Sequence, residues 1–103
     1  MEGTLDRNTT PARLRLQGDL VIESAVELQA LLQEALRSGE PTQLDLEGVT
    51  QVDVTGLQLL TAVERAAEAR GLAWVRSGAV PESLRQAVED AGWERVPFSG
   101  EMA

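Results

Sequence analysis

The nine residues from Val52 to Leu60, Val-Asp-Val-Thr-Gly-Leu-Gln-Leu-Leu, change character halfway, and so fix where a strand must hand over to a helix. The first part is apolar and β-branched around one carboxylate, Asp53, as the end of a strand would be. From Thr55 onward, Leu57, Leu60, Val63 and Ala67 recur at helical spacing. Thr55 and Gln58 have the S/T-x-x-E/Q spacing of a capping box, which starts the helix at Thr55. A hydroxyl at the exposed start of a helix, two residues after an aspartate, has two readings. It caps the helix, for about 1 kcal/mol. Or it accepts a phosphate, which the free N–H groups and the dipole of a helix start would favour. Spacing alone favours the cap, because capping boxes are frequent.

The rest of the chain supplies similar pieces. Residues 1–10 are polar and read as a frayed lead-in or a short edge strand. Ala12 to Gln17 alternates with period two, the pattern of a strand with one wet face. Ser24 and Glu27 form a second capping box, followed by Leu28, Leu31, Leu32, Ala35 and Leu36 at helical spacing. Strands are expected at 43–46 and, after a bend at Glu47-Gly48, at 49–54. A strand follows at 72–75, and 96–98 reads as a final edge strand. Helices are expected at 23–38, 55–70 and 81–91, the last with Pro81 at its first position and Ala91 on its core face. Glu64, Arg65, Glu68 and Arg70 are expected to face water. The order β-α-β-α-β-α-β predicts a single compact α/β domain over 1–103, with helices packed mainly on one face of a small mixed sheet.

Composition narrows the chemistry. The chain has no His, Cys or Tyr, and all nine basic residues are Arg. This removes the commonest general base, the thiol, the phenol and the Schiff-base amine, leaving Asp, Glu, Ser and Thr. No catalytic residue, cofactor or metal site is therefore expected. A net charge of −8 repels phosphate backbones, so nucleic acid is an unfavourable partner. No apolar run is long enough to cross a membrane, and no secretory leader is visible, so the expected location is the cytoplasm.

Asp45 and Asp53 could pair as acid and base or hold a divalent ion, but no third ligand stands at a recognisable spacing. Acids at strand ends more often bond a nearby loop. Trp74 reads as core, and Trp93 as core or an anchor for a partner. The glycines Gly48, Gly56 and Gly78 form no nucleotide-binding pattern.

The run Leu44-Asp45-Leu46-Glu47-Gly48-Val49-Thr50-Gln51-Val52-Asp53-Val54-Thr55-Gly56-Leu57 resembles the STAS domain, the fold of sulfate transporters and anti-sigma-factor antagonists. The resemblance extends over roughly residues 10–98. It implies a non-enzymatic regulatory module that binds a serine/threonine-kinase-type anti-sigma factor. Thr55 stands where such antagonists are phosphorylated, just before the glycine. Phosphate there breaks the complex and a phosphatase restores it. The same resemblance places Asp45 and Asp53 near the partner face, and Val54, Thr55, Gly56 and Gln58 in it. Leu57 is expected in the core, with Thr61 partly exposed. Three positions depart from the commonest pattern: Val54 is apolar, Thr55 replaces serine, and Gln58 replaces a small residue. The form V-D-x-x-G-L-Q-L-L also resembles STAS domains of chemotaxis-type clusters and of phospholipid-trafficking ABC transporters. There the helix end would dock on a partner such as an ATPase without obligatory phosphorylation.

Overall fold

The computed structural model describes residues 1–98, and residues 99–103 of the expected domain lie outside the described residues. Four strands form one sheet in the order β1-β2-β3-β4. They are β1 (Glu2–Asp6), β2 (Ala12–Leu20), β3 (Thr42–Val52) and β4 (Trp74–Ser77). Strand β1 runs antiparallel to β2, whereas β2, β3 and β4 are parallel. The lead-in is therefore an edge strand. The helices are α1 (Ala25–Ser38), α2 (Val54–Ala69) and α3 (Glu82–Asp90), and a 3-10 turn at Ile22–Ser24 runs into α1.

Alternation in β2 sorts the sheet into two faces. Ala12, Leu14 and Leu16 are buried, while Arg13 and Arg15 are exposed. The buried side meets Leu28, Leu32, Ala35 and Leu36 of α1 and Leu57, Leu60, Val63 and Ala67 of α2. Each fully buried leucine contributes roughly 1.5–3 kcal/mol. Helix α3 joins this core through Leu84 and Val88, and the Ser83 hydroxyl donates to the Val49 carbonyl at 2.8 Å. Leu31 is half-buried, filling the space that the missing side chain of Gly3 leaves open.

Both α2 and α3 stop in the same way. The N–H groups of Gly71 and Leu72 bond the carbonyls of Glu68 and Ala67, at 3.0 and 2.9 Å. Those of Gly92 and Trp93 bond Glu89 and Val88, each at 3.0 Å. This is the Schellman motif, and it requires the left-handed φ of 67° at Gly71 and 73° at Gly92.

Several expectations are corrected. The strands at 43–46 and 49–54 are one strand, β3. Across from Arg15 and Gln17 stand Asp45 and Gly48, so β3 carries an extra residue there, and another between the partners of Gly18 and Asp19. These bulges mimic a bend and shift the buried set from Leu44 and Leu46 to Val49. Pro81 precedes α3 as its N-cap, and Ala91 lies exposed beyond its end. Ser24 stands at the N-cap of α1, but its side chain makes no capping bond, because its backbone, at φ −102° and ψ 1°, continues the 3-10 turn instead of taking the extended geometry from which a cap side chain reaches the first turn.

Residues 96–98 are not a strand. The Phe98 N–H donates to Glu64 Oε2 at 2.9 Å and its carbonyl accepts from Arg76 Nε at 2.9 Å, so neither is free for a ladder. Glu64 is buried rather than facing water, and takes both ends of the Arg95 guanidinium at 2.6 and 2.9 Å. The hydrogen bond to Glu64, then its charge, holds Arg95 above its ordinary pKa. The Phe98 ring stacks on Trp74 with centroids 6.2 Å apart, confirming Trp74 as core.

Candidate functional site

The site lies where β2 and β3 end side by side, with Leu20 opposite Val52. There the chain turns from β3 into α2, and Asp53 directs the turn. Its extended backbone, φ −103° and ψ −177°, places it at the N-cap. Its Oδ1 accepts the Gly56 N–H at 3.0 Å and its Oδ2 accepts the Ile22 N–H at 2.9 Å. Its own N–H donates to the Leu20 carbonyl at 3.2 Å. One carboxylate thus caps α2 and ties it to the turn after β2.

This corrects the Thr55–Gln58 capping box. The helix begins at Val54, so Thr55 is its second residue and cannot be its cap. Asp53 and Gly56 also have cap spacing, and the Leu20 carbonyl decides between the two registers by engaging Asp53. Gly56 is required for the same reason: a Cβ there would collide with that carbonyl oxygen.

A helix leaves its first N–H groups without intrahelical acceptors. Here Leu20 satisfies that of Asp53, and the Asp53 side chain satisfies that of Gly56. The two between, from Val54 and Thr55, are those available to an anion at the helix start. Thr55 is half-buried and Gln58 exposed, with Thr61 half-buried one turn on. Val54 is 53% exposed, and Leu57 is fully buried.

Asp45 does not join this group. It lies eight residues earlier on β3, roughly 25 Å away along an extended strand. It accepts from Arg15 Nε at 3.2 Å and from the Glu47 N–H at 3.0 Å. That distance rules out an acid–base pair or a shared ion between Asp45 and Asp53. Among the described residues, no group of three or more His, Cys, Asp or Glu is placed to hold a metal. Trp93 is half-buried; one side packs on the core and the other lines a shallow cleft against Gln58, Thr61 and Arg65. Sequence reasoning overlooked Ile22, an apolar residue exposed beside Asp53. Its signal was an isoleucine in a turn, outside any periodic pattern.

This fold is similar to that of several solved structures. An anti-sigma factor antagonist from Mycobacterium paratuberculosis superposes with a TM-score of 0.68 at 17% identity, over 88% of this chain and 77% of the other. The anti-sigma factor antagonist SpoIIAA in its unphosphorylated form gives 0.64 at 20% identity, over 89% and 86%. The Bacillus cell fate determinant SpoIIAA in its phosphorylated form gives 0.65 at 20% identity, over 88% and 84%. At these identities the likeness is one of fold. A crystal structure of Mglu matches with a TM-score of 0.63 at 25% identity over 74% of this chain, which spans only 19% of Mglu. A comparison with curated proteins gave no match. The chain belongs to the family described as "Mlab, STAS domain", whose model matches residues 4–98. Among the described residues, no helix is long and apolar enough to cross a membrane.

Proposed function

We propose that this chain is a non-enzymatic regulatory module that binds a protein partner through the start of α2, and that phosphorylation of Thr55 switches the complex off. The partner class is a kinase-type anti-sigma factor. The observation that carries this reading is the position of Thr55. It stands one residue inside a helix whose cap is already supplied by Asp53, so its hydroxyl is not needed for capping. Two available N–H groups of the first turn and the helix dipole can accept the added charge. The free domain therefore stays folded when modified. A similar fold solved in both an unphosphorylated and a phosphorylated form supports the same reading.

In the complex the balance reverses. A dianion of about 1.5–2 charges must be desolvated against a surface that received a small hydroxyl. A loss of about 3 kcal/mol weakens a micromolar complex by more than a hundredfold. Incubating the purified chain with a purified kinase-type ATP-binding partner and ATP, followed by mass analysis, tests the proposal. One phosphate is expected on Thr55 and none on the Thr55→Ala protein. A stable complex without phosphate transfer would favour docking on a transporter ATPase or in a chemotaxis-type cluster.

A further inference from the structure

Three large apolar side chains stand in solvent among the described residues: Val54 at 53% exposure, Ile22 at 65% and Val26 at 83%. A single exposed aliphatic side chain needs no explanation. These three are gathered. The bond from the Ile22 N–H to Asp53 Oδ2 holds Ile22 beside the residue that precedes Val54. The 3-10 turn that Ile22 opens runs directly into α1, which brings Val26 to the same side about one turn later. The nearby core does not need them, because Leu20, Leu28 and Leu57 are already fully buried. Exposed apolar side chains drawn to one end of the fold in this way mark an interaction site.

The charge around the patch defines what it faces. Between Arg15 and Arg65 the only basic residue is Arg37. It lies in the last turn of α1, about 16 Å along the helix from Val26. Glu23 and Glu27, both exposed, adjoin Ile22 and Val26. A second copy of the chain would set acid against acid. We propose that Ile22, Val26 and Val54 form one docking face for a partner protein whose contact surface is apolar at its centre and rimmed by Arg or Lys. The inference rests on the reading of this chain as a protein-binding module, and it extends the contact from α2 to the start of α1. Thr55 follows Val54 in the first turn of α2, so a phosphate there would have to be desolvated beside this face, while the acidic rim speeds encounter.

The test uses two purified probes, the kinase-type ATP-binding protein and the transporter-type ATPase encoded nearest to this chain. Each is titrated calorimetrically with the wild-type chain, with Ile22→Ser/Val26→Ser, and with the conservative Ile22→Leu/Val26→Leu. One probe is expected to bind the wild type. The serine variant should bind about tenfold or more weakly with an unchanged melt, and the leucine variant as the wild type does. Added salt should weaken the binding that the titration reads. Binding of the serine variant within about twofold of wild type, binding of neither probe, or a wild-type dimer that the serine variant dissolves would each overturn the docking face. Loss of binding in the serine variant without phosphate on Thr55 would keep the face and remove the switch. Phosphate on Thr55 with full binding of the serine variant would keep the switch and remove the face.

Discussion

At the residue scale, Asp53 and Thr55 exchange the roles that their spacing suggests. The sequence shows a cap and a hydroxyl within three residues, and two cap registers are compatible with it. What separates them is the carbonyl of Leu20, more than thirty residues away in the chain, which no local pattern reports. Asp53→Ala removes an acceptor from both Gly56 and Ile22, so a stability loss of about 1–2 kcal/mol is expected by urea unfolding. Asp53→Asn should fall between, since one oxygen remains as acceptor. Thr55→Ala should cost less than Asp53→Ala; the opposite order would return the capping role to Thr55. Gly56→Ala forces a methyl against the Leu20 oxygen and should cost about 1–3 kcal/mol, by overpacking that the helix start can relieve only by moving.

At the element scale, periodicity located the three helices and the alternation of β2, because burial there repeats along one short segment. It failed where a side chain from elsewhere intervenes. The two bulges of β3 change which residues face the core, and they exist only in register with β2. Glu64 has the surroundings of a solvent-facing residue in sequence, between Val63 and Arg65, yet it is buried under the segment that ends at Phe98. That segment is held by side chains in place of a β ladder. Glu64→Ala leaves the Phe98 N–H without its acceptor, a cost of about 1–3 kcal/mol for a buried donor. Glu64→Gln keeps an acceptor and should cost less. The check is a pair of urea curves followed by tryptophan emission, because Trp74 lies under Phe98. Equal losses in the two variants would show that the acceptor for Phe98 contributes nothing.

At the scale of the whole molecule, the alternation of strands and helices from β2 to α3 was legible, whereas the closing strand expected at 96–98 is absent and the sheet gains its fourth strand from β1 at the other end of the chain. The one-sided packing of helices follows from the alternation in β2. The other face of the sheet carries the row Thr4, Arg15, Asp45 and Ser77, which is polar and lies away from the start of α2. The grouping of the candidate residues was half legible. Val54, Thr55, Gly56 and Gln58 come together, while Asp45 stands apart and Ile22 enters through a long-range bond to Asp53. With no His, Cys, Lys or Tyr and the two aspartates far apart, the purified chain is expected to hydrolyse neither ATP nor phosphoesters. Turnover that disappears in Asp53→Asn would overturn that. The central claim is that one hydroxyl, placed at a helix start that can carry charge, controls binding to a partner. Calorimetric titration of the purified kinase-type partner with wild type, Thr55→Ala and Thr55→Glu, alongside their thermal melts, measures this directly. Thr55→Glu is expected to melt with the wild type and bind about a hundredfold more weakly, and Thr55→Ala to bind as the wild type does. Equal affinities for all three folded proteins would contradict the account and leave Thr55 as an ordinary residue of the first helical turn.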